Sequence, residues 1–241
     1  MIYRILPIFF LLFSSFSSNN KVVLEKNKNT LIKATISKTV LTADAKAISL
    51  YNTLHTNNLP LPKLESFTKA LKGFYALQAK GVIQKNILTL IDFSLSSNVK
   101  RLWIIDLNSN TVLYNSLVAH GRNTGNGFAN SFSNAAESYK SSLGFYATGE
   151  VYQGKHGLSL RLDGLERGLN DNARSRAVVM HGADYVADSF IQNHSRLGRS
   201  LGCPAIPMHM TKEIISLIKD KSCLYIYHPS LNTVKNSKFN L

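Results

Sequence analysis

Between positions 176 and 207 the chain reads RAVVMHGADYVADSFIQNHSRLGRSLGCPAIP, and two residues in it are the parts of a thiol nucleophile and its base. Cys203 stands on a bend between Gly202 and Pro204. His181 ends an apolar run, Ala177 to Met180, and precedes Gly182. The thiolate is the reactive form of cysteine, and a free thiol near neutral pH is mostly protonated. An imidazole within reach can take that proton and later return it to a leaving amine. The pair therefore fits acyl transfer through a thioester. Blander readings compete: a histidine at a strand end is commonly a satisfied structural residue. A zinc set of His181, His194, Cys203 and His209 matches no common ligand spacing. His156, in Gly-Lys-His-Gly, reads equally as a cleft or a surface residue. Ser200 either holds the Cys203 loop or substrate, or simply forms a turn. Asp163, Glu166 and Asp171 read as solvated or structural.

These residues need elements to carry them. Residues 43–56 read as a helix with Ala45, Ile48 and Tyr51 on one face, broken by Leu59-Pro60-Leu61-Pro62. Lys63 to Lys80 reads as a second helix, with Leu64, Phe67, Leu71, Phe74 and Leu77 or Gln78 at helical spacing and Gly81 at its end. From residue 87 the period becomes that of strands: Ile87–Phe93, Arg101–Leu107 and Thr111–Ala119, with a hairpin turn at Asn108-Ser109-Asn110. His120 to Gly127 is a glycine-rich loop without the Lys and Ser/Thr of a phosphate loop. Ala129 to Ser142 is polar and reads as a flap. Gly144–Gly149, Leu158–Leu162 and Ala177–His181 are further strands, with a loop from Tyr152 to Gly157. Thr211 is placed to cap a helix running to Lys219, with Ile214, Ile215, Leu217 and Ile218 on its apolar face. Cys223–His228 is the last strand. Many short strands with few helices predict a mainly β (α+β), mostly antiparallel sandwich or barrel-like domain with the two early helices packed on its side.

The 241 residues suffice for one large domain, and 44% hydrophobic content suits a packed core. Lys and Arg number 28 against 14 acidic residues, a net charge of +14. That charge favours anionic partners such as nucleic acid, acidic polymers or an anionic membrane, cell-wall or envelope surface, and a generally solvated basic surface is the blander reading. No helix-turn-helix, RRM or zinc-finger pattern is present, so nucleic acid is not an expected partner. Met1 to Arg4 is short and basic, Ile5 to Phe16 is apolar, and Ser17, Ser18, Asn19 and Asn20 follow. This is the layout of a secretory signal, and its apolar middle falls short of the ~20 residues of a spanning helix. Residues 1–18 are thus expected to be a signal peptide, with an uncleaved anchor as the alternative, 19–42 a polar linker, 43–86 a helical segment, 87–230 the catalytic domain and 231–241 a polar tail. The expected location is the periplasm, the cell envelope or outside the cell, with no membrane span after cleavage. Two cysteines in an exported chain raise the question of a disulfide. Cys223 lies in an apolar strand where an inert thiol is the default, and a free Cys203 is favoured over a Cys203–Cys223 bridge.

His181-Gly182-Ala183, with Ser200-Leu201-Gly202-Cys203 downstream, resembles the signature of the murein L,D-transpeptidase catalytic domain family, the YkuD-like enzymes. Ser142-Leu143-Gly144-Phe145-Tyr146 looks like that family's upstream strand entry. The blocks occur in order over roughly Leu88 to Pro229. The resemblance implies a mostly β enzyme that acts on peptidoglycan stem peptides with no metal and no organic cofactor. By motif match, Cys203 would be the nucleophile and His181 the base. The carbonyl of Gly182 would orient the imidazole, and backbone N–H groups near Gly202 and Cys203 would hold the oxyanion. The family's Ile/Val-Arg pair after the cysteine is here Pro204-Ala205, so Arg199 or Arg196 is expected to supply the missing charge. Transfer of the acyl group to an amine makes a transpeptidase and transfer to water an L,D-carboxypeptidase. A non-catalytic basic wall-binding domain is the third reading.

Overall fold

The structure is a computed structural model that describes residues 44–233. The expected signal peptide and linker, and the end of the expected tail, lie outside these residues. Helix α1 covers 44–52 and α2 runs Leu64–Ala79. Eight strands follow: β1 Ile87–Asp92, β2 Leu102–Asp106, β3 Thr111–Ser116, β4 Gly144–Gly154, β5 Gly157–Gly164, β6 Val179–Ala183, β7 Ala205–Pro207 and β8 Cys223–Tyr227. Between them lie α3, Asp188–His194, and α4, Thr211–Ile218.

The strands form one sheet in the order β3-β2-β1-β8-β4-β5-β6-β7. Only β1·β8 and β6·β7 pair in parallel. The sheet curls until its edges nearly meet: just past β3, Ala119 N–H donates to Ala205 of β7 at 2.9 Å. That bridge makes the sheet nearly a barrel, within the predicted mainly β class, and it sets the glycine-rich loop after β3 against the segment carrying Cys203.

Helix α2 lies on the sheet through Phe67, Ala70, Leu71, Phe74 and Leu77, all buried. Each large apolar side chain so buried contributes about 2 kcal/mol. Gly73 lets the helix come close, since a Cβ there would lie 1.9 Å from the Phe145 ring of β4. Leu64, expected on this face, is exposed. In α1 the expected face is rotated. Ala47 is buried and Tyr51 packs on Phe67 with ring centroids 5.3 Å apart, while Ala45 and Ile48 are exposed. With a single turn or two of helix, weak apolar spacing left the phase undetermined.

Three other elements differ from expectation for local reasons. Strand β4 does not stop at Gly149. The pairing slips between Thr148 and Val151, a bulge that absorbs the glycine and carries the strand on to Gly154. The expected loop from Tyr152 to Gly157 is therefore the tip of a β4–β5 hairpin. Thr211 does not cap α4 but begins it, and its hydroxyl donates to Pro207 O at 3.1 Å. The 185–195 stretch holds the short helix α3. Its neighbours Val186 and Leu197 join Leu117, Ala119, Ala183 and Ala205 in a second apolar cluster behind β6 and β7. This small core positions the edge of the sheet where Cys203 and His181 sit.

Candidate active site

His181 lies in the middle of β6, paired with Ser159 of β5 on one side and Ala205 of β7 on the other. The apolar run before it places β6 in the core, and all five residues of the strand are buried. Its Nδ1 is 2.9 Å from the Gly182 carbonyl oxygen. A carbonyl only accepts, so Nδ1 carries the proton and Nε2 is left as the basic nitrogen. Gly182 must be glycine, because a Cβ there would lie 2.2 Å from Thr211 Oγ1 and 2.6 Å from Met208 Sδ.

Cys203 is two residues before β7, so the β6·β7 pairing carries it alongside β6. Its Sγ accepts from Val179 N–H at 3.4 Å and donates to Ala177 O at 3.8 Å. Ala177 takes a left-handed backbone, φ 52°, just before β6. That is an uncommon conformation for a residue with a Cβ, and it sits at the mouth of the site. Cys203 and Cys223 are both free thiols. Burial pushes the Cys203 thiol up, opposed by the Val179 N–H and the charges of Arg176 and Lys155. Burial lowers His181 from the usual imidazole value, as do the charges of His156 and Lys155, while the bond to Gly182 raises it. Both shifts favour a neutral thiol and a neutral imidazole at rest. They make no hydrogen bond to each other but line one cavity of about 360 Å³.

The bend before Cys203 is held from within. Ser200 Oγ donates to Cys203 O at 2.6 Å and accepts from Gly202 N–H at 3.0 Å. Ser200 is therefore the clasp of the turn. The Gly202 N–H, expected to face an oxyanion, is already taken by that clasp. Among the described residues the Cys203 N–H carries no such bond. Gly202 has φ +124°, and a Cβ there would lie 2.9 Å from Lys140 O. The neighbouring Gly121 backbone is as close, since its own Cβ would lie 2.9 Å from Gly202 Cα.

His156, at the hairpin tip, stacks on His181 with ring centroids 4.4 Å apart and planes 19° apart. Arg199 lines the cavity and donates to the carbonyls of Arg122 and Gly125 and to Asn126 Oδ1 at 3.0–3.2 Å. Arg196 bonds its neighbour's carbonyl, Leu197 O, and is not part of the cavity wall. His194 stacks on Phe190 within α3, and neither His194 nor His209 lines the cavity. The position where an arginine was sought after the cysteine is Ala205, fully buried between β6 and the Ala119 bridge, with no room for a guanidinium.

Sequence reasoning gave no role to Tyr152, Lys155, Tyr185 and Arg176, which also line the cavity. The first two follow from the β4 bulge and the last from its place directly before the β6 run. Arg176 donates from Nη1 to Ser133 O and Ser142 Oγ and from Nη2 to Ser138 Oγ and Lys140 O, at 2.6–3.2 Å. These bonds fasten the 133–142 stretch, expected to be a flap, to the floor of the site.

A family model described as L,D-transpeptidase catalytic domain matches residues 60–227. The chain belongs to this family. Solved structures with a similar chain path include an L,D-transpeptidase from Mycobacterium smegmatis. It is 10% identical with a TM-score of 0.36, over 59% of each chain. Mycobacterium tuberculosis L,D-transpeptidase 1 is 9% identical, TM-score 0.33, over 59% of this chain and 62% of that one. An L,D-transpeptidase from Stackebrandtia nassauensis is 10% identical, TM-score 0.37, over 77% and 89%. The match thus spans about three-fifths of the mycobacterial chains. No curated protein sequence matches the chain. Membership rests on the family model, which covers both His181 and Cys203.

Proposed function

We propose that this chain is an exported, cysteine-dependent L,D-transpeptidase that joins peptidoglycan stem peptides. In this reading residues 87–230 perform the chemistry, residues 43–86 brace the sheet and residues 1–18 direct export. The observation that carries the proposal is the His181 Nδ1–Gly182 O bond of 2.9 Å on a strand whose Val179 N–H meets Cys203 Sγ. It supports an oriented imidazole with a free basic nitrogen in the same cavity as a free thiol.

The steps follow from that geometry. Sγ of Cys203 attacks the carbonyl joining the L-centre of the stem's diamino acid to the terminal D-residue, as Nε2 of His181 takes the thiol proton. The neutral resting pair means that this proton moves during attack. The tetrahedral oxyanion rests on the Cys203 N–H. Collapse breaks the C–N bond, and His181 gives its proton to the departing amine. An acceptor amine then attacks the thioester, loses its proton to His181 and expels the Cys203 sulfur, which recovers the proton. Water in place of the amine gives the carboxypeptidase outcome. The test is mass spectrometry of muropeptides after incubation with a tetrapeptide donor. Cross-linked dimers support the proposal, tripeptide alone moves the assignment to carboxypeptidase, and no change with a folded protein rejects both.

A further inference from the structure

Several arginines among the described residues answer carboxylates, but Arg176 and Arg199, the two that line the cavity, meet none. Arg101 is fully buried, and the Asp92 carboxylate favours its charge. Arg174 pairs with Glu150 and Asp163, and Arg161 with Glu150. Arg176 is half-buried, and its guanidinium meets only four neutral oxygens, from Ser133, Ser138, Lys140 and Ser142. Among the described residues it pairs with no acid. A desolvated cation held by carbonyls and hydroxyls is costly unless negative charge appears nearby. No Asp or Glu lines the cavity. Besides the tyrosine hydroxyls, the group there that can become negative is the Cys203 thiol. Arg176 Nη2 lies 3.5 Å from where a Gly202 Cβ would be, one residue before the thiol.

We propose that Arg176 is a positioning residue whose charge stabilises negative charge on Cys203. Its four bonds fix the guanidinium beside the Gly202 bend, and its unpaired charge is answered when the thiol ionises. This rests on reading Cys203 as the nucleophile. The other groups facing the thiol are His181, His156, Lys155, Tyr152, Tyr185 and Arg199. His156 and Lys155 are exposed on the hairpin tip and screened by solvent, and Arg199 is bonded to the 122–126 loop, so Arg176 is the cation held beside the Gly202 bend.

The experiment is alkylation of Cys203 by iodoacetamide against pH, mapped by mass spectrometry, in the full chain and in R176K and R176M. An opposite charge within about 4–6 Å of an acid moves its titration by about 1 unit or more. R176M should shift the alkylation midpoint upward by about that much, roughly 10-fold less modification at a fixed pH below it, and R176K should restore most of it. A purely structural role predicts equal defects in both variants, which overturns the proposal, as does an unchanged midpoint in folded R176M. If R176M does not fold, the K155M/R199A double variant decides. With those two cations gone, Cys203 must still react faster with iodoacetate than the ratio for a free thiol predicts from iodoacetamide. Loss of that preference overturns the proposal. The readout is charge on the thiol and not transfer to a stem peptide, so it can fail while the transpeptidase reading stands, and the reverse.

Discussion

The two cysteines occupy opposite parts of one sheet. Cys223 begins β8, hydrogen-bonded between β1 and β4 at the sheet's middle, opposite Leu88 and Ala147. It is fully buried, and burial alone drives its thiol far above the usual range. Cys203 stands just ahead of β7, where the ladder runs out. There a backbone N–H is left for sulfur, a histidine shares the neighbouring strand, and a loop brings in Arg176. Both thiols are pushed up by desolvation, but only the one at the edge has anything pulling it back. The middle of a sheet uses its backbone groups on itself, and reactivity needs the place where it does not.

The largest effects should separate these two regions by activity. Cys203→Ala should lower turnover of a tetrapeptide donor by at least about 10³-fold with little change in thermal midpoint, because covalent catalysis has no substitute nucleophile. His181→Ala should be nearly as severe. Full turnover by Cys203→Ala in a steady-state assay would break the contrast at its root.

Two glycines put the same insult in each region. Gly182→Ala drives a Cβ into Thr211 and Met208 and displaces the carbonyl that orients His181. It should cost roughly 10- to 100-fold in kcat, since small misplacements of a catalytic group are expensive. Gly73→Ala drives a Cβ into the Phe145 ring between α2 and the sheet. Overpacking there should cost about 1–3 kcal/mol of stability and leave kcat of the folded enzyme intact. Urea melts alongside kinetics check both, and the reverse pattern would show that α2 and the site are coupled.

Acid and alkali should also divide the molecule. His120 is buried under the Cys203 loop, with Nδ1 2.8 Å from Arg101 Nη2 and its carbonyl accepting Ser200 N–H. Desolvation and then the Arg101 charge lower it from 6.5 to about 4. Between those values the unfolded chain binds a proton that the folded chain refuses. Stability is therefore full above pH 6.5 and falls as pH drops toward 4, by about 3 kcal/mol from this residue. His181 and His228, also lowered by burial, act in the same direction. Cys223 has the opposite sign. Its folded thiol keeps a proton that the unfolded one loses above ~8.5, so it withdraws stability as pH rises. Denaturant melts from pH 4 to 10 should show both limbs, and His120→Gln should flatten only the acid one.

The strong periodicities in the sequence correspond to α2, β1, β2, β8 and α4, because their apolar spacing is set by burial against one core. That Cys203 and His181 line one cavity agrees with reading a glycine-flanked thiol and a strand-end histidine together. Arg176 was not legible, since nothing in a linear chain shows that its hydrogen-bond partners would come from 133–142 and contain no acid. The β4 bulge hid Tyr152 and Lys155 for a similar reason: Gly149 looks like a stop unless the pairing with β5 is known. The bond from the Gly202 N–H to Ser200, two residues earlier, is a detail of the turn that linear spacing does not show.

The smallest effect tests whether the middle of the sheet is as inert as its geometry suggests. Cys223→Ala removes one sulfur atom from a packed site on β8 and gives up no hydrogen bond, since among the described residues none is made to that thiol. The cost should be the cavity left behind, about 1 kcal/mol, read as a lower urea midpoint at unchanged slope. Cys223→Ser should cost more, because a hydroxyl buried without a partner keeps its desolvation penalty. Neither should alter kcat, KM or the alkylation rate of Cys203 at temperatures where the protein is folded. A drop in kcat with a normal melt would mean that β8 transmits to the far edge through β4 and β5.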